Sequence, residues 1–141
     1  MNQIDILLVE DSHDDAEITL RTLKQIGMSD KVHWAKDGEE ALDFIEANLS
    51  KAHLPKVILL DLKLPKVDGL EVLQAIRSNP ELSKIPVVIL TSSNEESDLL
   101  KSYSIGANSY IVKPVDFNSY SESIAEIGKY WLNRNQVPMT A

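Results

Sequence analysis

The chain has 141 residues, 43% of them hydrophobic, which is enough to bury the core of one domain and too few for a second. Its formal net charge of -8 argues against a sequence-independent grip on nucleic acid, which depends on Lys and Arg neutralising phosphates. The absence of cysteine removes disulfides, thiolate metal sites and cysteine nucleophiles together, and no apolar run approaches the roughly 20 residues needed to span a bilayer.

No basic region followed by an apolar stretch opens the chain, so a cytoplasmic protein without a membrane partner is expected. Ile4 to Val9 reads as an apolar strand that ends abruptly in Glu10 and Asp11. Ser12 is placed to cap a helix whose first turn holds Asp14, Asp15 and Glu17, with Ala16, Leu20 and Leu23 as its buried stripe and Gly27 as its stop. The helix dipole and solvation account for Asp14 and Asp15, whereas Glu10 and Asp11 precede the cap and need another reason. Val32 to Lys36 alternates as a half-exposed strand near a sheet edge. Asp37 and Glu40 resemble a capping box, and Ala41, Leu42, Ile45 and Leu49 give the next helix its apolar face. A polar segment through Pro55 then leads to Val57 to Leu60. These four consecutive apolar residues suit a strand buried on both faces, with Asp61 at its carboxyl end.

After a turn from Pro65 to Gly69, Leu70, Val72, Leu73 and Ile76 fit helical spacing until Asn79-Pro80. Val87 to Leu90 is another buried strand and delivers Thr91, Ser92 and Ser93 to its end. Glu95 to Ile105 is a more polar helix, with Leu99, Leu100 and Tyr103 expected inward and Gly106 as its terminator. Tyr110 to Val112 makes a fifth strand ending in Lys113-Pro114. Phe117, Tyr120, Ile124, Ile127 and Trp131 form the stripe of a last helix, suited to core or interface. Residues 1-134 are expected as one domain, and residues 135-141 as a flexible tail. His13, His33 and His53 show no ligand spacing, and Trp34 and Trp131 suit packing.

This alternation predicts an α/β protein of flavodoxin-like type, a (βα)5 doubly wound parallel sheet with strand order 2-1-3-4-5 and right-handed crossovers. Ligands in such folds collect outside the carboxyl ends of the strands. Asp61 alone would serve equally as a strand-terminating acid that caps a turn. With parallel strands, however, Glu10, Asp11, Asp61, Thr91 and Lys113 all emerge at one rim. Three crowded carboxylates repel one another unless a hard cation sits among them, and few protein oxygens suit Mg2+ that keeps several waters, with Mn2+ able to substitute. A lysine and a hydroxyl facing that cluster supply what phosphoryl oxygens require, and Asp is a known nucleophile for phosphoryl transfer.

Leu8-Val9-Glu10-Asp11, Leu60 to Pro65 with Asp68-Gly69, Thr91-Ser92 and Tyr110 to Pro114 occur in an order and spacing that resemble a response-regulator receiver domain of bacterial two-component signalling, over residues 4-132. The resemblance implies that Asp61 accepts a phosphoryl group from a phosphohistidine on a sensor histidine kinase. It implies Mg2+ held by Asp11, Asp61 and the backbone carbonyl of Lys63, with Glu10 acting partly through water. Lys113 and Thr91 would bind phosphoryl oxygens, Thr91 and Tyr110 would form a switch pair, and Lys113-Pro114 would be cis. Lys63 and Ser93 occupy positions that influence how long the phosphoryl group survives.

Rival functions fit less well. A flavin or nucleotide binder needs a phosphate loop after the first strand, where this chain has Glu10 and Asp11. An aspartate-based phosphatase typically carries a second Asp where this chain has Lys63. With no room for an appended output domain, the chain reads as a stand-alone receiver. It either docks on a target when phosphorylated or relays the group to a histidine-phosphotransfer protein. The long last helix is similar to that of the small response regulators paired with bacterial phytochromes, which would make a phytochrome the kinase. A homodimer through the fourth or fifth helix is open to it by the same resemblance.

Overall fold

A computed structural model of the chain describes residues 4-49 and 54-138. The side chain of Leu49, His53 and the last three residues of the expected tail lie outside the described residues. The strands are β1 (Ile6–Val9), β2 (Val32–Ala35), β3 (Val57–Leu60), β4 (Val87–Thr91) and β5 (Ser109–Val112). They alternate with helices α1 (His13–Gln25), α2 (Gly38–Leu49), α3 (Gly69–Ser78), α4 (Glu96–Ile105) and α5 (Phe117–Lys129). A 3-10 turn precedes β2, and a π-helical turn over Tyr130–Arg134 extends α5. The strands form one sheet in the order β2-β1-β3-β4-β5, every pair parallel, as the alternation predicts.

Successive strand residues point to opposite faces, so each apolar run serves two cores. Leu7, Val9, Ile58, Leu60, Val87 and Ile89 pack with Ala41, Ile45, Val72, Leu73 and Ile76 on the α2 and α3 side. Ile6, Leu8, Val57, Leu59, Val88 and Leu90 pack with Ala16, Leu23, Tyr120, Ile124 and Ile127 of α1 and α5. Central strands buried on both faces explain why β1, β3 and β4 read as continuous apolar runs. The edge strands β2 and β5 are only partly covered. Among the described residues, no helix is long and apolar enough to cross a membrane.

Packing differs from the sequence pattern at several helix positions. Thr19 and Thr22 are buried in α1 where Leu20 was expected, and the hydroxyls of Thr22 and Ser121 lie 2.7 Å apart between α1 and α5. Leu100 and Tyr103 of α4 point outward, 60% and 50% exposed, and Ser102 takes the buried position. The hydroxyl of Ser102 donates to the Asp98 carbonyl at 2.7 Å, which satisfies it within the helix and makes its burial inexpensive. Phe117 is exposed at the start of α5, whereas Tyr120, Ile124 and Ile127 are buried as expected.

Candidate functional site

The site follows from strand register. Val9 of β1 pairs with Leu60 of β3, so Glu10 and Asp61 leave the sheet side by side. Leu60 pairs with Ile89 on its other flank, and Thr91 pairs with Val112 of β5, which brings Thr91 and Lys113 to the same rim. The backbone of Asp61 is still anchored there, its N–H donating to the Val9 carbonyl at 3.1 Å. A Cβ on Gly69 would lie 2.3 Å from the Asp61 carbonyl oxygen, so only glycine lets α3 start this close to the carboxylate strand. Asp68 caps α3 in a full capping box with Glu71, and Lys66 in the intervening loop has a φ of 66°, an uncommon conformation for a side-chain-bearing residue.

Three carboxylates converge on one ammonium. Lys113 Nζ donates to Glu10 Oε1 at 2.6 Å, to Asp15 Oδ2 at 2.8 Å and to Asp61 Oδ2 at 2.9 Å. The other oxygen of Asp61 accepts from the Lys63 backbone N–H at 3.2 Å, and Glu10 Oε2 accepts from the Ser12 N–H at 3.2 Å. Trp34 Nε1 donates to the Glu10 carbonyl at 2.8 Å, which fixes the backbone from the β2 side. Burial alone would lower the pKa of Lys113, but its bonds to Asp15, Glu10 and Asp61 outweigh burial and raise it, keeping the ammonium charged.

The cluster is nevertheless short of positive charge. Burial pushes the Glu10 carboxyl up to about 7, opposed by its hydrogen bond to Lys113 and reinforced by the charge of Asp61. Glu10, Asp11 and Asp61 each offer a carboxylate oxygen, and these oxygens lie within 4.8 Å of one another. A set of hard oxygen donors carrying excess negative charge fits a divalent cation that retains part of its water shell. Asp11 is the exposed member, and it lines a cleft of about 430 Å³ with Leu62, Lys63, Leu64, Pro65, Asp68, Leu70 and Asp98.

The flanking hydroxyl residues form a second group. Thr91 is fully buried and its hydroxyl accepts from the Ser93 N–H at 3.3 Å. Tyr110 is half-buried, and its hydroxyl donates to the Ser93 carbonyl at 2.9 Å. Glu10, Asp11, Asp61, Lys63, Thr91, Ser93 and Lys113 therefore all stand at one end of the sheet or on the loops just beyond it, and Tyr110, within β5, reaches that end with its hydroxyl.

Two expectations are corrected. The Lys113-Pro114 bond is trans, since no cis peptide bond occurs among the described residues; the intrinsic preference of X-Pro bonds for trans is only about 0.5 to 1 kcal/mol, so local packing decides the isomer. Asp15, assigned on sequence to a solvated helix start, binds Lys113 instead. Only the pairing of α1 with the end of β5, 98 positions away in sequence, reveals this. Asp14 stays exposed. His13 packs edge-on against Trp34, and His33 stacks on Phe44 with ring centroids 4.0 Å apart.

Five parallel strands in this order, with an acidic trio and a lysine at the carboxyl rim, define a receiver domain. The response regulator receiver domain family matches residues 6–125, and the chain belongs to that family, whose members act as signalling switches in two-component systems. Probable methanogenesis regulatory protein FilR2 of Methanothrix harundinacea (strain 6Ac) is 42% identical over 134 residues, covering 94% of this chain and 86% of that protein. Response regulator Rcp1 of Synechocystis sp. is 37% identical over 135 residues, covering 94% of this chain and 92% of Rcp1. The Mn(2+)-bound form of Rcp1 superposes with a TM-score of 0.86 at 36% identity, over 98% of this chain and 99% of that one. The phosphorylated cyanobacterial phytochrome response regulator RcpA gives a TM-score of 0.88 at 35% identity, over 97% of this chain and 98% of RcpA.

Proposed function

We propose that the chain is a single-domain response regulator in which Asp61 accepts a phosphoryl group from a sensor histidine kinase and the phosphorylated form signals by binding another protein. The observation that carries this reading is the Asp61 carboxylate at the end of β3, with one oxygen 2.9 Å from Lys113 Nζ and the acidic pair Glu10 and Asp11 beside it. In the transfer, an Asp61 oxygen attacks phosphorus, the P–N bond of the donor phosphohistidine breaks, and the imidazole leaves with the bond's electrons. Glu10, Asp11 and Asp61, with the Lys63 carbonyl, would hold Mg2+, and Mn2+ would substitute. When bound, the cation neutralises charge on the transferring group. Lys113 is already charged and aimed at Asp61, so it can pair with a phosphoryl oxygen by exchanging one of its three carboxylate bonds.

Thr91 and Tyr110 would report the event. Both contact Ser93, so a movement of the Thr91 hydroxyl toward a phosphoryl oxygen disturbs the segment that holds the Tyr110 hydroxyl. Exposed Leu100, Tyr103, Val112, Phe117 and Tyr130 belong to α4, β5, α5 and its extension, and they supply an apolar surface for a target or a second copy of the chain. The description of RcpA as a phytochrome response regulator supports a phytochrome as the kinase. Both partners would meet it in the cytoplasm.

The test is incubation with Mg2+ and acetyl phosphate, followed by intact mass measurement of wild type and Asp61→Asn. Wild type is expected to gain one phosphoryl group and the variant none. Equal gain by both would remove Asp61 from the role. Loss of label to an added histidine-phosphotransfer protein would identify a relay, and retention a terminal output.

A further inference from the structure

Asp98, in the first turn of α4, touches two residues flanking the site. Its Oδ2 accepts from the Ser93 hydroxyl at 2.5 Å and lies 3.9 Å from Lys63 Nζ. The Asp98 side chain is only 17% exposed and lines the cleft beside Lys63 and Asp11. Ser93 has one hydroxyl proton, and Asp98 takes it. The Ser93 carbonyl meanwhile holds Tyr110, and the Lys63 N–H holds Asp61. One carboxylate thus joins the loop after β3 to the loop after β4 across the mouth of the cleft.

Resting on the reading of Asp61 as phosphoacceptor, we propose that Asp98 is a positioning residue that latches Lys63 and Ser93 together in the unphosphorylated chain and, by competing with the phosphoryl group for Lys63 once it has formed, shortens the lifetime of the aspartyl phosphate. A phosphoryl group brings about -1.5 to -2 of charge to the Asp61 side chain, which already accepts from the Lys63 backbone N–H, and it competes with Asp98 for the lysine ammonium. The existing ion pair is long and its lysine exposed, so it yields readily. Hydrolysis requires a water oxygen to attack phosphorus while the bond to Asp61 breaks, releasing inorganic phosphate and the free carboxylate. Lys63 drawn over the phosphoryl group obstructs that approach. Asp98 shortens the lifetime by drawing Lys63 back.

The experiment compares decay of the acetyl phosphate adduct by intact mass in wild type, Asp98→Asn, Lys63→Gln and the double variant. Asparagine keeps an acceptor for Ser93 while removing the attraction for Lys63. Asp98→Asn is expected to lengthen the lifetime about two- to fivefold, the range an exposed ion pair supports, and to have no further effect in the Lys63→Gln background. An unchanged or shorter lifetime in Asp98→Asn overturns the proposal, as does an equal lengthening without Lys63. If wild type gains no phosphoryl group, the reading of Asp61 has failed and the latch falls with it. A second measurement uses the metal-free, unphosphorylated chain: Asp98→Ala is expected to speed amide exchange over residues 93-99, and Asp98→Asn to stay near wild type. Wild-type exchange in Asp98→Ala overturns the latch.

Discussion

Helices α3 and α4 have the same length, ten residues, and pack on the same side of the sheet, yet they are held in different ways. Helix α3 buries Gly69, Val72, Leu73 and Ile76 and begins with a reciprocal capping box. Among the residues of α4, only Ser102 is fully buried, and its N-cap Glu95 makes no side-chain capping bond. Polar contacts secure its ends instead. Asp98 binds Ser93 near the start, and Arg77 of α3 reaches the carbonyl of Gly106 at the finish, with Nε 2.9 Å from the oxygen. An apolar stripe resists sliding throughout its length, whereas a few hydrogen bonds can be exchanged for others at little net cost. The helix next to Ser93 is thus the one held by the more readily exchanged contacts.

Removing the apolar anchor should have the largest effect. Ile76→Ala would leave a cavity in a fully buried position and is expected to cost about 2 to 5 kcal/mol by denaturant titration. A loss below 1 kcal/mol would mean that α3 is no better anchored than its neighbour. Arg77→Ala attacks the polar clamp. Its guanidinium also donates to the carbonyls of Ser83 and Ile85 and to Asn108 Oδ1, so truncation strands several acceptors and should cost about 1 to 3 kcal/mol. Arg77→Lys should recover little, because an ammonium cannot reproduce the planar fork. Hydrogen exchange should place the damage at the α4 end and β5, not in α3.

These two anchors were not equally visible in the sequence. The strands and the α3 stripe were legible because they rest on local periodicity, and burial on both faces makes β1, β3 and β4 unmistakably apolar. Glu10, Asp61, Thr91 and Lys113 were legible as strand-end residues once the parallel topology was inferred. The partners of Arg77 and Asp15 were not, since each contact joins elements whose packing no local pattern encodes. For α4 the pattern misled: Leu100 and Tyr103 fit an inward stripe, but the buried place went to Ser102, whose hydroxyl bonds back to Asp98. Hydrophobicity marks a surface meant to be covered, without saying whether the cover is the protein's own sheet or a partner.

Capping offers a smaller test of the same contrast. Asp68→Ala should cost about 1 kcal/mol, because the Glu71 N–H loses its side-chain acceptor while the backbone N–H at position 68 still donates to Glu71. Glu95→Ser should do the reverse and stabilise α4 by roughly 0.5 to 1 kcal/mol, since that N-cap has no side-chain bond to lose. If Glu95→Ser stabilises and Asp68→Ala does not destabilise, the two helix starts are not distinguished by capping.

The smallest effect on stability is expected at the two outward side chains. Leu100→Ser and Tyr103→Ser remove side chains that stay at least half exposed in the fold, so each should change the unfolding free energy by only about 0.5 kcal/mol. Their consequence should appear in association. If α4 carries part of the apolar surface proposed for a target or second copy, the double variant should weaken binding or self-association of the phosphorylated chain, as read by sedimentation at matched concentration, while the adduct at Asp61 forms normally. A large loss of stability would show instead that α4 packs these side chains on its own domain in solution. In that case α4 would be anchored as α3 is, and the division between a helix held by an apolar stripe and one held by exchangeable contacts would no longer hold.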